Sequence, residues 1–313
     1  MIKINLKKKK FKDSNLAPIA LFTYNRLEHL KKSLNSLKKN ELIKYSDLII
    51  FSDGAKKENE KYDVDRVRNF IKNIKGFNSV KIYFRNKNYG LSKNIIFGIS
   101  QVLKKYPNVI VLEDDLVVDK FFLNFMNNGL KIYEKNLSVA SIHGYIYPIS
   151  FPSNVPEYFF IKGADCWGWA TWRRAWKGFE KNGKKLLARI DKKNLKESFN
   201  FNNTYDYYQM LKKQTKGKND SWAVRWYASA FLKDMFTLYP SKTFVKNIGI
   251  DGSGTHGSGN YQLNSNKISR TKYLKIKKLK IKIEENFPAK QKIQSYFIKN
   301  SDNWLKKVLK KIF

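Results

Sequence analysis

Three consecutive carboxylates follow a short apolar run near the middle of the chain. The run Val109-Ile-Val-Leu112 has the composition of a buried strand, and Glu113-Asp114-Asp115 comes directly after it. Neighbouring carboxylates repel one another and are not all buried as anions without a cation beside them. Hard divalent cations take oxygen ligands, commonly one or two carboxylates together with substrate phosphates. The triplet therefore predicts a metal site for a diphosphate, and the alternative is a cap on a following helix.

Apolar runs alternate with amphipathic stretches along the first part of the chain. The predicted strands are Ile19–Tyr24, Leu48–Phe51, Val80–Phe84 and Val109–Leu112. The predicted helices carry Leu27, Leu30, Leu34 and Leu37, then Val64, Val67, Phe70, Ile71 and Ile74, then Ile95 to Leu103. This alternation is typical of right-handed β-α-β units. It predicts an α/β fold with a mostly parallel sheet and helices on both of its faces.

Ligands of such sheets bind beyond the carboxyl ends of the strands. Those ends carry Asn25-Arg26, Asp53-Gly54 and the acidic triplet. None of them has the glycine pattern of a dinucleotide-binding turn or of a P-loop. A dinucleotide oxidoreductase and a P-loop kinase are therefore disfavoured.

Basic residues dominate the composition. The 313 residues include 62 Lys and Arg against 26 Asp and Glu, which gives a formal net charge of +36. This surplus attracts anions such as nucleic acid, acidic lipid or phosphorylated substrates, unless it only solvates the surface. A disulfide-stapled scaffold is excluded because Cys166 is the only cysteine. A zinc site built from Cys and His is disfavoured on the same count, since the chain has only three histidines.

Both ends of the sequence are basic. Residues 1–10 are charged where a signal peptide needs its apolar core, and no apolar run approaches the roughly 18–20 residues of a membrane span, so a cytoplasmic location is predicted. Residues 267–313 carry fifteen Lys and Arg against three acids. In Ser301–Phe313 the apolar residues fall on one helical face, opposite lysines. This pattern predicts either contact with an anionic membrane surface or docking on the protein's own core.

Six segments, in order, resemble a known family. Ala17–Glu28, Ser52-Asp53-Gly54 and Val109–Phe122 look like the nucleotide-sugar half of a GT-A glycosyltransferase. The match continues through Gly163–Trp176, Asn219–Trp222 and Gly249–Gly259, so it covers about residues 17–260. The Glu-Asp-Asp form of the triplet resembles N-acetylglucosaminyltransferase I and its bacterial relatives.

The resemblance implies a GT-A, Rossmann-like fold and a domain organisation. A basic segment 1–16 precedes a glycosyltransferase domain 17–260, with its nucleotide-sugar half at about 17–125 and its acceptor half at about 126–260. A basic, partly amphipathic helical tail 261–313 follows.

The same resemblance implies a reaction. Mn²⁺ or Mg²⁺ would serve an inverting transfer of a hexose or N-acetylhexosamine from a UDP-sugar to a surface glycan or lipid-linked saccharide. The protein would lie in the cytoplasm, peripheral on the inner face of the membrane through its tail. A sugar nucleotidyltransferase and a basic nucleic-acid-binding protein are the alternatives. No nucleic acid partner is expected, because the acidic cluster opposes nucleic acid in the cleft.

The resemblance also assigns roles to residues at the strand ends. Arg26 would approach the diphosphate or the uridine, and Asp53 would accept a hydrogen bond from uracil. Asp115 would be the metal ligand, with Asp114 and Glu113 directed to the ribose and the donor sugar.

Two further assignments come from the resemblance. Where the relatives carry a nucleotide-contacting His before the triplet strand, this chain has Lys93-Asn94, and Asn94 takes that place. Asp220 falls where the family keeps its catalytic carboxylate and would be the general base. Its alternative role is the N-cap of a helix over Ser221–Leu232, and Asp165 and Asp206 are weaker candidates for the base.

Aromatic and glycine-rich stretches complete the predicted site. Trp167 and Trp169 are assigned to a sugar pocket, while Trp172 and Trp176 are assigned to packing. The glycine-rich segment Gly249–Gly259, which includes Gly252 and Ser253, predicts a lid over the donor diphosphate, or else a flexible linker to the tail.

Overall fold

The structure is a computed structural model that describes residues 16–251 and 281–309, with side chains up to residue 300. Residues 1–15 and 252–280 lie outside the described residues, as do the side chains from 301 onward. The predicted basic N-terminal segment, the glycine-rich lid from Gly252 and the amphipathic face of the tail therefore stay predictions.

The strands follow the apolar runs of the sequence. Within the described residues they are β1 (Ile19–Thr23), β2 (Asp47–Ser52), β3 (Ser79–Phe84), β4 (Asn108–Glu113), β5 (Leu116–Val118), β6 (Val139–His143), β7 (Tyr158–Ile161), β8 (Trp169–Trp172), β9 (Phe236–Pro240) and β10 (Val245–Asn247). Eight of these described strands form one sheet in the order β3-β2-β1-β4-β8-β6-β9-β7, and β5 pairs with β10 beside it.

The helices lie between these strands and after them. In the described ranges they are α1 (Leu27–Leu37), α2 (Lys61–Ile71), α3 (Leu91–Lys105), α4 (Phe122–Ile132), α5 (Arg173–Trp176), α6 (Gly183–Lys192), α7 (Lys196–Phe199), α8 (Tyr207–Thr215), α9 (Trp222–Phe231) and α10 (Phe287–Leu309). Short 3₁₀ turns occur at Ile43–Tyr45 and Glu58–Glu60.

The pairing confirms the α/β prediction. β1 pairs in parallel with β2 and β4, and β2 pairs in parallel with β3, as the alternation of strands and helices requires. In the second half, β8 runs antiparallel between β4 and β6, and β9 is parallel to β6. The result is a mostly parallel mixed sheet that places the carboxyl ends of β1, β2 and β4 at one edge.

Two apolar cores cover the two faces of the sheet. Alternate residues of β1 point to opposite faces, so that Ala20 and Phe22 join one core and Ile19 and Leu21 join the other. The first core holds side chains of α3, α5, α6, α8, α9 and α10, and the second holds side chains of α1, α2 and α4. Because the strands are buried on both faces, their sequences read as continuous apolar runs.

The first part of the basic tail docks on the protein. The Asn286 amide donates to the carbonyl of Phe160 in edge strand β7 (2.8 Å), and α10 follows directly. Ala289, Ile293 and Phe297 of α10 are buried in the first core. Residues 287–300 therefore dock on the core, while the two alternatives for Ser301–Phe313 stay open because those side chains lie outside the described residues. None of the described helices is long and apolar enough to cross a membrane.

Removing a buried anchor of α10 should destabilise the whole fold. Phe297 is 6% exposed, whereas Phe287 at the start of the same helix is 64% exposed. We expect Phe297→Ala to lower the free energy of unfolding by about 3–5 kcal/mol, because it leaves a cavity in the core. The matched variant Phe287→Ala should change it by about 0.5 kcal/mol or less. Urea denaturation measures both, and equal effects would show that α10 is not anchored through Phe297.

Candidate active site

The acidic triplet lies where β4 ends. Glu113 is the last residue of β4, and Asp114 and Asp115 form the turn that leads into β5. The next helix, α4, begins at Phe122, and Asp119 rather than the triplet precedes it and accepts from the Phe121 amide (2.8 Å). The interpretation of the triplet as a helix cap is therefore wrong.

One arginine joins two members of the triplet. Nη2 of Arg26, just after β1, lies 2.7 Å from Oδ1 of Asp114 and 2.8 Å from Oδ2 of Asp115. The other oxygen of Asp114 accepts from the Thr23 hydroxyl and the Tyr24 amide, both at 3.1 Å. Because the carboxyl ends of β1 and β4 are adjacent, the parallel pairing itself brings these groups together.

Burial and charge set the protonation of this cluster. Burial, and after it the charges of Asp115 and Asp114, raises the pKa of Glu113 to about 8, against the lowering effect of Arg26. Burial also raises the pKa of Asp114, against the lowering effect of Arg26. Burial alone would lower the pKa of Arg26, but the charges of Asp114 and Asp115 outweigh it and hold that pKa above its ordinary value. The cluster thus has more negative charge than Arg26 offsets.

The segment 245–251 packs against the triplet from the other side. β10 pairs with β5, and the Ile248 amide donates to the carbonyl oxygen of Asp115 (2.8 Å). A Cβ at Gly249 would overlap the Asp115 carboxylate and come within 2.8 Å of Arg26 Nη1, so a larger residue here would displace one of these two side chains. Nε2 of His29 in α1 lies 3.0 Å from Oδ2 of Asp251, where the glycine-rich segment begins. The start of the predicted lid is therefore held beside the acidic cluster.

The donor chemistry of the triplet fits a hard divalent cation. Its available donors are carboxylate oxygens, and Mg²⁺-type ions usually take one or two of these and complete their coordination with water and substrate phosphate. Within residues 16–251 and 281–300, no group of three or more His, Cys, Asp or Glu side chains is arranged to hold a metal alone. A bound ion would therefore rest on Asp115 and on oxygens from the substrate.

Asp53 and Asp220 lie around the start of α3. Asp53, at the end of β2, accepts from the amides of Gly54 (2.9 Å) and Tyr89 (2.8 Å) through Oδ1 and from that of Gly90 (3.0 Å) through Oδ2. A Cβ at Gly90 would lie 3.8 Å from Oδ2 of Asp220, whose side chain is 63% exposed. The carboxylate of Asp53 is used to hold the loop before α3, and Asp220 stands at the outer side of that loop.

The helix-cap interpretation of Asp220 is wrong. Ser221 is the N-cap of α9, and its hydroxyl accepts from the Val224 amide (3.2 Å). By contrast, Asp206 caps α8 by accepting from the Gln209 amide (3.1 Å), so its carboxylate has a structural role. The described ion-pair contact of Asp220 is with Arg225, whose Nη2 lies 4.0 Å from Oδ1 of Asp220.

Two predicted binding residues are buried elsewhere. The Asn94 side chain accepts from Nε of Arg85 (3.1 Å) and donates to the Phe51 carbonyl (3.5 Å), so it fixes the inner side of α3 and does not face a nucleotide. Trp169 is 0% exposed and packs against Trp222 and Trp226, with ring centroids 5.5 and 5.7 Å apart. Its place on β8 points the ring into the core, so its assignment to the sugar pocket is corrected.

Trp167 differs from Trp169 in its position. It is half-buried in the loop before β8, with its ring 4.7 Å from that of Tyr145. Its neighbour Cys166 has its thiol pKa raised by burial, and by the charges of Glu113, Asp165 and Asp115. The Trp167 ring packs against the second core, whereas Cys166 packs against the first. Trp172 and Trp176 are buried, in keeping with their assignment to packing.

The structure thus brings some of the predicted site residues into contact, while others lie outside the described residues. Arg26, Asp114 and Asp115 are in direct contact, and Glu113 adjoins them. Gly252 and Ser253 lie outside the described residues. Thr23, which contacts Asp114, was not predicted as a site residue, because a Thr at a strand end carries no distinctive signal.

Comparison with known proteins identifies the family. The model of glycosyl transferase family 2 matches residues 19–178, just over half of the chain and all of the triplet region. The chain therefore belongs to glycosyl transferase family 2. The description of this family names glycosyl transfer. A search of curated proteins gives no match.

Two solved structures are similar to parts of the chain. One is the mannosyltransferase PcManGT from Pyrobaculum calidifontis in complex with GDP-Man and Mn²⁺, at 9% identity and a TM-score of 0.30, covering 42% of this chain and 36% of that protein. The other is TarS from S. aureus, at 17% identity and a TM-score of 0.29, covering 44% of this chain and 24% of that protein. The chain thus spans well under half the length of either protein.

The raised pKa of Glu113 predicts a pH-dependent stability. Between its ordinary value of 4.5 and its folded value of about 8, the folded state keeps a proton that the unfolded state has lost. The free energy of unfolding should therefore fall as pH rises through this window, by at most about 1.4 kcal/mol per pH unit for this group. Glu113→Gln should flatten the slope in urea titrations with a chelator present.

The matched control is Glu41→Gln, which changes an exposed carboxylate. It should leave the slope unchanged. An equal slope in the wild type and in Glu113→Gln would contradict the burial of an ionisable Glu113.

Proposed function

We propose that the chain is a metal-dependent, inverting glycosyltransferase that moves a hexose or N-acetylhexosamine from a UDP-sugar to a hydroxyl of a surface glycan or a lipid-linked saccharide. The observation that carries the proposal is the contact of Arg26 with Asp114 and Asp115 at the carboxyl edge of the sheet, inside the family-matched region. Ligands of such sheets bind at this edge. The family match also favours glycosyl transfer over nucleotidyl transfer.

The triplet and Arg26 would bind the leaving diphosphate. Asp115 would hold Mn²⁺ or Mg²⁺, and the bound ion would supply positive charge to the departing phosphates. Arg26 keeps further N–H groups on its guanidinium besides those that contact the carboxylates, and these would reach phosphate oxygens. Asp114 acts on Arg26, because both of its oxygens already accept hydrogen bonds from the chain.

The remaining nucleotide-sugar contacts are assigned by position. Asp53 would shape the loop against which the uracil lies, since its oxygens accept backbone hydrogen bonds of that loop. Glu113 and Trp167 would face the donor sugar. Gly252 and Ser253 would cover the diphosphate.

Asp220 would be the general base. Its carboxylate is exposed beside the loop that Asp53 holds, and Ser221 has taken over the capping of α9. It would accept the proton of the acceptor hydroxyl while that oxygen attacks the anomeric carbon from the face opposite the diphosphate, which inverts the configuration. On this assignment residues 17–125 form the nucleotide-sugar half and residues 126–260 the acceptor half.

Turnover of nucleotide sugars tests this function. Hydrolysis or transfer should be found with one of a panel of UDP-sugars and stop with EDTA. Asp115→Asn should lower kcat about 10²–10³-fold through loss of charge stabilisation. Asp220→Asn should lower kcat for transfer about 10²–10⁴-fold with the donor KM unchanged. Asp65→Asn, an exposed carboxylate of α2, is the control. Full activity in EDTA or in Asp115→Asn would refute the metal assignment.

The end of the tail is proposed to contact an anionic membrane surface. Residues 287–300 are used in docking, which leaves the amphipathic stretch from Ser301 onward as the membrane-facing candidate. Each lysine near an anionic surface contributes about 1 kcal/mol.

Vesicle co-sedimentation tests the tail. Changing Lys306, Lys307, Lys310 and Lys311 to Glu should reduce binding to phosphatidylglycerol-containing vesicles at least about tenfold, with no effect on neutral phosphatidylcholine vesicles. The matched control changes Lys184 and Lys185 of α6, which are exposed but lie outside the tail. Equal losses for the two variants would refute a tail-specific contact.

A further inference from the structure

One carboxylate that the sequence offers only as a weaker candidate for the general base is held by two phenols in the structure. Asp165 is half-buried in the loop between β7 and β8. Its Oδ1 accepts from the Tyr147 hydroxyl (2.9 Å), and its Oδ2 accepts from the Tyr239 hydroxyl (2.8 Å). No described Lys, Arg or His forms an ion pair with it. Asp165 is thus oriented by phenols rather than neutralised by a cation.

Residues from several strands, loops and helices hold this carboxylate in its orientation. The Asp165 amide donates to the Tyr239 hydroxyl (3.3 Å), so that residue contacts Tyr239 twice. A Cβ at Gly163 would lie 2.8 Å from the Tyr239 oxygen, so glycine leaves room for this phenol. The rings of Tyr296 and Phe297 in α10 pack on Tyr147, with centroids 5.3 and 5.0 Å away. The docked tail therefore supports one of the two tyrosines that orient the carboxylate.

Two buried polar atoms beside this cluster have no partner among the described residues. They are Nε2 of His143 and the hydroxyl of Tyr145, on side chains that are 0% and 5% exposed. The other ring nitrogen of His143 lies 2.8 Å from the Tyr145 carbonyl. Buried polar atoms are costly unless they are hydrogen-bonded, so both are available to a polar ligand.

The cluster adjoins an aromatic ring. Burial, and after it the charges of Glu113, Asp165 and Asp115, raises the pKa of the Cys166 thiol, next to Asp165 in the sequence. Trp167 follows, with its half-buried ring against Tyr145. A carboxylate and a half-buried aromatic ring thus lie two residues apart in the loop before β8.

We propose that Asp165, Tyr145 and Trp167 form a subsite for a neutral pyranose ring. Each oxygen of Asp165 has accepted one phenol hydrogen and keeps lone pairs that accept from sugar hydroxyls. The Trp167 ring offers an apolar face to the C–H side of the sugar, and the Tyr145 hydroxyl supplies a further polar contact. The subsite rests on the proposed function for its substrate class, and the ring comes from the donor or from the acceptor glycan.

Asp165→Asn tests the subsite in the full-length protein. It removes the charged acceptor of two hydrogen bonds, and we expect sugar affinity to fall about 10–100-fold, as for a hydrogen bond to a charged group. The matched control is Asp191→Asn, because the exposed Asp191 also accepts from a tyrosine hydroxyl, that of Tyr208 (2.8 Å). Thermal unfolding of both variants reports whether the fold is intact.

Two binding assays distinguish the source of the sugar. Calorimetry compares UDP with UDP-glucose, UDP-galactose and UDP-N-acetylglucosamine, and a glycan array probes acceptors without nucleotide. If Asp165→Asn loses the affinity gained from the donor sugar but binds UDP normally, the ring belongs to the donor. If it loses only glycan binding, the ring belongs to the acceptor. A protein that binds no UDP-sugar refutes the UDP donor of the proposed function, and the array still tests the subsite.

A second variant keeps the proposal testable if Asp165→Asn unfolds. Trp167 lies outside the hydrogen-bonded cluster of Asp165, so Trp167→Ala should leave that cluster in place while lowering sugar affinity about tenfold or more. Unchanged binding of both sugars and glycans in Trp167→Ala, or equal behaviour of Asp165→Asn and Asp191→Asn, overturns the subsite. In that case Asp165 only holds Tyr147 and Tyr239 in place.

Discussion

The account depends on one contact, in which a single nitrogen of Arg26 bridges Asp114 and Asp115. Without Arg26 the buried Asp114 would lack a compensating charge, which is costly in a protein interior. The contact exists because β1 and β4 are parallel neighbours whose carboxyl ends meet. It also leaves the cluster short of positive charge, which is the reason that a divalent ion is proposed there.

Much of the first half of this arrangement is predictable from the sequence. Strands that are buried on both faces must be apolar throughout, so Leu48–Phe51 and Val109–Leu112 could be predicted as strands from the sequence alone. The edge at which Asp53, Arg26 and the triplet meet follows from the parallel sheet. The contact between Arg26 and Asp115 was not predictable, because the two residues are far apart in sequence and only side-chain geometry joins them.

The errors have a common physical origin. Asn94 and Trp169 were assigned by their place in motifs, but which way a side chain points depends on its position along a helix or strand. Asn94 lies on the inner side of α3 and Trp169 on a covered face of β8, so both serve packing and internal hydrogen bonding. In the second half, the support of Tyr147 by α10 joins residues about 150 positions apart, which no local pattern reports.

The central claim is that Asp115 holds a divalent ion against the donor diphosphate. Crystals grown with UDP and MnCl₂ test it by anomalous diffraction at the manganese absorption edge. The account predicts a peak about 2 Å from a carboxylate oxygen of Asp115, shared with a phosphate oxygen of UDP. Bound UDP with no peak at Asp115, or a peak on residues away from the triplet, would contradict it.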